Sequence, residues 1–305
     1  MRVAAIDCGT NAIRLLIANV SDNSEKLVDV ARRMEIVRLG EGVDRTGLLA
    51  PAAIERTRQA LLGYAAEIAE LGVTRVRMCA TSATRDAGNA QDFRDMVRGV
   101  LGIDPEVITG EEEAALSFLG AVRGLDAPGP YLVFDLGGGS TEFVTGTTSV
   151  EHAISMDIGC VRMTERHLHG DPPTPAEIAA ATEDIVAAVD TALAAVPGKQ
   201  ARTLVGLAGT VTTVAALALE LDGYDSTRIH HSRIPAADVA RVTRDLLSMT
   251  VAERRALPVM HPGRADVIGA GALIEQIIVE RSGHDTIIAS EHDILDGIAF
   301  GLAAD

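Results

Sequence analysis

Apolar residues follow two alternating rhythms along this chain. Short β-branched runs, such as residues 3–6, 13–20 and 131–134, alternate with longer Ala/Leu/Glu-rich stretches whose apolar positions recur at helical spacing. Strands interleaved with helices predict an α/β fold. Only six residues separate the runs 3–6 and 13–20, too few for a crossover helix, so the two form an antiparallel hairpin. A third extended segment is expected within residues 26–39. Pro51 stands in the first turn of a helix over residues 52–70. A strand at 73–80 leads into a polar loop at 81–85, and a helix follows over 89–100. A short strand at 107–109 precedes a helix over 110–123. The Gly/Pro-rich segment 124–130 is the best linker in the chain, and it separates two expected domains, residues 1–126 and 127–305.

Beyond the linker the pattern restarts. An apolar run at 131–134 ends in Asp135, then come a turn at 136–140 and a second extended run at 141–145. The stretches AIDCGTNAIRLL (residues 5–16) and VFDLGGGSTEFV (residues 133–144) align without a gap at an offset of 128 residues. Each reads strand, Asp-x-Gly-small-small turn, strand. Such a duplication implies two similarly built lobes facing each other across a cleft.

The turns carry the first candidate chemistry. Gly9, Thr10 and Asn11 in one copy, and Gly137, Gly138, Gly139 and Ser140 in the other, have little side-chain bulk. Their backbone N–H groups can approach a ligand and form a nest suited to phosphate. Asp7 and Asp135, at the mouths of the turns, would repel a phosphate unless a hard cation stood between them, and Mg²⁺ is the natural bridge. At aligned positions one copy carries Arg14 and the other Glu142, a division of labour with Arg14 toward phosphate and Glu142 toward metal or water.

Three further segments add candidates. Gly110-Glu111-Glu112-Glu113 opens a helix, and Glu111 and Glu112 are read as complements of its dipole. Glu113 heads a stripe through Ser117, Gly120 and Gly124 that is small and polar, so it is expected to line an open cleft as a general base. Arg85 ends the hydroxyl-rich 81–85 segment and is placed to clamp phosphate, an exposed arginine in an ordinary loop being the competing reading. Gly209 and Thr210 join a strand at 204–206 to an Ala-rich helix, either as a ligand-approach turn or as close strand–helix packing. The segment at 262–266 opens a helix continuing to about residue 280 and is read as structural.

Composition narrows the classes. The chain has 305 residues, 47% hydrophobic, with mean hydropathy +0.20, enough for two packed cores. No apolar stretch is long enough to cross a bilayer. The start, MRVAAIDCGT, lacks a signal-peptide core, and Cys8, Cys79 and Cys160 are too few for a disulfide framework, so a cytoplasmic protein is expected. A net charge of −16 argues against a sequence-independent nucleic-acid or anionic-membrane binder, though not against a polyanion held locally with a metal ion. The absence of Trp argues against a base-stacking platform. The eight histidines show no zinc-site spacing. Neither a P-loop nor a GxSxG elbow is present.

Together the motifs resemble the exopolyphosphatase and guanosine pentaphosphate phosphohydrolase family, within the actin-like ATPase and sugar kinase superfamily. They are DCGTNAIRLLI (7–17), ATSATRDAGN (80–89), TGEEEA (109–114), DLGGGSTEF (135–143), GLAGT (206–210) and PGRADVIGAG (262–271). The resemblance implies two duplicated actin-like (ribonuclease H-like) α/β lobes, with a last helix at about 292–304 returning toward the first lobe. It implies the short, two-domain form of the family. It makes Glu113 the catalytic glutamate and Arg85 the phosphate-binding arginine. Asp135, Gly137 and Glu142 match the metal, phosphate and water-orienting positions, and Asp7, Asn11 and Arg14 match the first hairpin. Ala12 departs from the family's usual Ser.

The leading expectation is Mg²⁺-dependent hydrolysis of the terminal phosphate of inorganic polyphosphate. Guanosine pentaphosphate hydrolysis is the same chemistry on another substrate. A weakly catalytic sensor of polyphosphate or a guanosine alarmone, toward which Ala12 leans, is a third reading. A homodimer stays open. Arg56, on the long first helix, is expected to be an ordinary surface arginine.

Overall fold

The computed structural model describes residues 1–21 and 26–304. The chain divides into two compact units, Met1–Gly120 with Ile294–Asp305, and Ala121–Asp293.

The first unit is built on a five-stranded sheet of β1 (Arg2–Cys8), β2 (Ala12–Val20), β3 (Leu27–Ile36), β4 (Arg75–Ala80) and β5 (Glu106–Val107), in the order β3-β2-β1-β4-β5. β1 and β2 form the antiparallel hairpin, β3 extends it, and β4 runs parallel to β1. Because side chains alternate across a strand, β1 feeds two cores. Ala4 and Ile6 join Leu61, Phe93 and Val97 on one face. Val3 and Ala5 join Ile294, Leu295 and Ile298 of the last helix, Ile294–Ala304, on the other. The helix Pro51–Glu70 starts with Pro at its first position. It buries Ala53, Thr57, Leu61, Tyr64 and Ile68 at helical spacing. Gly297 in the last helix is required by proximity, since a Cβ there would lie 2.0 Å from the Leu116 carbonyl oxygen.

The second unit repeats the plan. β6 (Tyr131–Leu136), β7 (Thr141–Gly146), β8 (Val150–Met156), β9 (Thr203–Leu207), β10 (Arg233–Pro235) and β11 (Thr286–Ala289) form a sheet in the order β10-β11-β9-β6-β7-β8. β6, β7 and β8 are antiparallel like β1, β2 and β3, and β9 runs parallel to β6 as β4 does to β1. The offset of 128 holds beyond the hairpins: Asp7 pairs with Cys79 where Asp135 pairs with Leu207. The fold is a duplicated α/β architecture, with one mixed sheet in each unit.

Several expectations need correction. The polar loop at 81–85 is a short helix, Ser82–Asp86. Its start is fixed by a distant contact, Thr81 N–H donating to Cys8 O at 3.2 Å, and Ser82 and Thr84 are buried. The strand expected at 107–109 lies at Glu106–Val107, because pairing with Cys79 and Ala80 sets its register. Residues 262–264 form one tight turn, and the helix proper is Ile268–Ser282. Edge strand β8 gave no clear alternation and was not anticipated. Among the described residues, no helix is long and apolar enough to cross a membrane, and all three cysteines are free and buried.

Candidate active site

Both duplicated turns close on themselves in the same way. Gly9 N–H donates to Ala12 O at 2.9 Å, and Gly137 N–H donates to Ser140 O at 3.0 Å. Ala12 thus fills its place in the turn with its carbonyl, whatever its side chain. Further carbonyls of both turns are taken by neighbouring segments. In the first turn Thr10 O accepts from Gly40 N, and Asn11 O accepts from Val37 N and Arg38 N. In the second, Gly137 O accepts from Cys160 N, Gly138 O from Val161 N and Arg162 N, and Gly139 O from Arg162 Nε at 2.7 Å.

This anchoring decides what the turns offer. In a trans peptide the N–H points opposite to the C=O, so tying down the carbonyls turns the N–H groups of Asn11, Gly138, Gly139 and Ser140 the other way. Among the described residues, those four N–H groups and that of Thr10 find no acceptor. They are ready donors for an anion. Gly40 and Gly159 make the arrangement possible. A Cβ at Gly40 would lie 2.3 Å from Thr10 Cγ2, and one at Gly159 would lie 2.4 Å from the Gly138 carbonyl oxygen. Neither glycine, nor Arg162, was singled out in the sequence, because each acts on a turn far from it along the chain.

The acidic residues differ between the units. Asp7 and Arg14 face each other across the β1–β2 hairpin and form an ion pair, Nη2 to Oδ2 at 2.6 Å, with Asp7 4% exposed. Asp135 and Glu142 face each other at the same place across β6 and β7. Glu142 is 1% exposed, and Ser155 Oγ donates to its Oε1 at 2.7 Å. Two carboxylates directly opposed on one sheet face repel each other. That is a setting for a hard cation.

Glu113 and Arg85 meet within the first unit. Arg85 Nη1 donates to Glu113 Oε2 at 3.2 Å and to Ile108 O at 3.0 Å, while Nε and Nη2 have no partner among the described residues. Arg85 is therefore half anchored, with two donors to spare. Glu113 is buried, at 8% exposed, in the first turn of the helix Gly110–Val122. Of the stripe below it, Ser117 and Gly120 are buried, since small residues admit close neighbours, and only Gly124 at its far end is exposed. Glu112 pairs with Arg77 at the surface.

Gly209 and Thr210 lie in the first turn of the helix Ala208–Ala218, directly after β9 and beside the end of β6. Ala208 adopts φ +73°, a left-handed conformation costly for a residue with a Cβ and held here by the strand-to-helix turn. The Arg264 guanidinium packs so closely on Gly209 that a Cβ would lie 2.3 Å from its Cζ. The Thr210 hydroxyl is turned into packing, 2.5 Å from where a Cβ of Gly271 would sit. Thr210 therefore offers a ligand its backbone N–H rather than its side chain. Burial pushes the Cys160 thiol up to about 11, so it is a packed thiol and not a nucleophile.

Arg56 is exposed, as expected of a surface arginine, but it is engaged. Its Nε donates to Val37 O at 2.8 Å, and its Nη2 donates to Glu41 at 2.9 Å. It holds the segment that carries Gly40 and supports the first turn.

A model of the Ppx/GppA phosphatase family matches residues 16–304. The chain is 53% identical to Exopolyphosphatase 2 of Mycobacterium tuberculosis, over 99% of this chain and 98% of that protein. A solved exopolyphosphatase-like protein is 45% identical, with a TM-score of 0.95 over 100% of this chain and 99% of that one. A solved exopolyphosphatase from Cytophaga hutchinsonii is 25% identical, with a TM-score of 0.89 over 100% of this chain and 98% of that one.

Proposed function

The chain belongs to the Ppx/GppA phosphatase family, and on that premise we propose that it is an exopolyphosphatase, a hydrolase of the terminal phosphoanhydride bond of inorganic polyphosphate. The observation that carries this reading is the 53% identity to Exopolyphosphatase 2 across essentially the whole of both chains. Phosphoryl transfer asks a protein chiefly to position phosphates and offset their charge, and the donors described above suit that task.

The roles divide by unit. From the first, Glu113 takes the proton of the attacking water while the bond to the departing chain breaks and its oxygen keeps the electron pair. Arg85 donates Nε and Nη2 to phosphate oxygens and holds Glu113 through Nη1. The N–H groups of Thr10 and Asn11 add neutral donors, with Arg14 and Gly9 shaping that turn. From the second, the N–H groups of Gly138, Gly139 and Ser140, with those of Gly209 and Thr210, bind phosphate, Gly137 closes their turn, and Glu142 orients the water.

A divalent cation belongs to this reading, and we assign Mg²⁺. Among the described residues, no group of three or more His, Cys, Asp or Glu side chains is arranged to hold a metal. Opposed Asp135 and Glu142 nevertheless suit Mg²⁺, which takes one or two protein carboxylates and completes its shell with water and phosphate oxygens. Asp7, matched by Arg14, is the weaker ligand of the three anticipated. When bound, the cation supplies positive charge against the phosphate oxygens. A cytoplasmic setting is supported by the three free, buried thiols.

The test is orthophosphate release from polyphosphate and from guanosine pentaphosphate, side by side with Mg²⁺. The proposal expects polyphosphate to be the faster substrate. Preference for guanosine pentaphosphate would reassign the substrate within the same chemistry, and release from neither would overturn the reading.

A further inference from the structure

In the second sheet, Asp135, Glu142 and Ser155 form one row across β6, β7 and β8, each directly opposite the next. The equivalent row in the first sheet is Asp7, Arg14 and Met34. There the middle residue is a cation that binds its acidic neighbour, and the third is apolar. In the second sheet the middle residue is itself an acid, and the third is a hydroxyl that donates to it at 2.7 Å. The fold tolerates a thioether at this third place, so the hydroxyl is not a requirement of strand pairing.

We infer that Ser155 is a positioning residue for Glu142, fixing one carboxylate oxygen so that the group keeps a single orientation beside Asp135. A carboxylate opposed to another across a sheet is pushed away from it. With Glu142 1% exposed, the energy of that repulsion is poorly screened. The Ser155 hydroxyl opposes this by donating to Oε1 from the far side. The hydrogen bond is charge-assisted and links adjacent strands, so it sets direction as well as distance. The inference rests on the proposed role of Glu142 in orienting the water.

The experiment compares kcat and KM for polyphosphate in Ser155→Ala, Ser155→Thr, Glu142→Gln and the double variant Ser155→Ala/Glu142→Gln, each checked for its melting temperature. Ser155→Ala is expected to lower kcat about tenfold or more while KM moves by less than about twofold, as loss of a charge-assisted hydrogen bond to a reacting-site carboxylate would do. Ser155→Thr, which keeps the hydroxyl and suits a strand, restores kcat. In the Glu142→Gln background, Ser155→Ala has no further effect. Glu142→Gln inactive with Ser155→Ala unimpaired overturns the inference alone, as do fully additive losses in the double variant. Wild-type activity in Glu142→Gln overturns the role of Glu142, and this inference with it.

Discussion

Nε and Nη2 of Arg14 both donate to the same oxygen of Asp7, at 3.0 and 2.6 Å. The guanidinium therefore holds the buried carboxylate across the hairpin while one edge of Arg14 stays accessible, its side chain being 20% exposed. At the duplicated position the partner is Glu142, so two copies of one hairpin have acquired opposite charge in their middle strand.

Removing Arg14 leaves Asp7 buried without this cation. Arg14→Ala is expected to cost roughly 1–3 kcal/mol of stability, less than for a fully buried pair because one partner is partly wet. Adding Asp7→Asn should recover part of that loss. Denaturant unfolding of the two single variants and the double one measures the coupling, and strictly additive losses would show that the pair is not an energetic unit.

The hairpins were legible because everything that defines them is local: an apolar run, Asp, a tight turn, and a second run, repeated at one offset. Glu113 was singled out by a small, polar stripe expected to be open, yet Ser117 and Gly120 in that stripe are buried, because packing against neighbours is not written in helical spacing. What supports the hairpins was not legible. Gly40 and Gly159 matter through close contacts, with a hypothetical Cβ 2.3 Å from the Thr10 side chain and 2.4 Å from the Gly138 carbonyl oxygen, residues at least twenty positions away. Ser155 sits on an edge strand whose half-wet sequence lacks alternation, so its approach to Glu142 is visible only in the strand register. Arg56 looks like any helix arginine until its acceptors, the Val37 and Arg38 carbonyls, are seen. The Thr81–Arg85 segment reads as a loop because hydroxyl residues favour turns, whereas it forms the helix Ser82–Asp86 with Ser82 and Thr84 buried.

Arg85 should dominate substrate affinity. Arg85→Ala is expected to weaken polyphosphate binding about 10- to 150-fold, the worth of a charge-assisted contact in a partly dry site. The proper control is Arg58, which pairs with Glu55 on the wet face of its helix, and Arg58→Ala should change affinity less than about threefold. Arg85→Lys should recover only part, lacking the guanidinium fork. Equal effects of Arg85→Ala and Arg58→Ala in a polyphosphate titration would remove Arg85 from the site.

Glu275 sets a pH dependence of stability. It is 1% exposed in the helix Ile268–Ser282, and its Oε2 has no hydrogen-bond partner among the described residues. Burial holds its proton and pushes the carboxyl well above the ordinary value of 4.5. The folded chain therefore keeps a proton that the unfolded chain releases, so this group lowers stability as pH rises above about 4.5. Glu275→Met, of similar length, should stabilise the protein by about 1–3 kcal/mol near pH 7. The gain should shrink as pH falls toward 4.5. Unfolding midpoints across that range check it, and a gain independent of pH would contradict the assignment.

The most direct test of the account is the initial rate of orthophosphate release from long-chain polyphosphate, with Mg²⁺, by wild type and Glu113→Gln. A neutral amide keeps the shape of Glu113 and a hydrogen-bonding oxygen for Arg85 but cannot accept the proton of water. The account predicts a loss of about 10²–10⁴-fold in kcat, with melting temperature and polyphosphate affinity nearly unchanged. A folded Glu113→Gln protein releasing orthophosphate at the wild-type rate would contradict it.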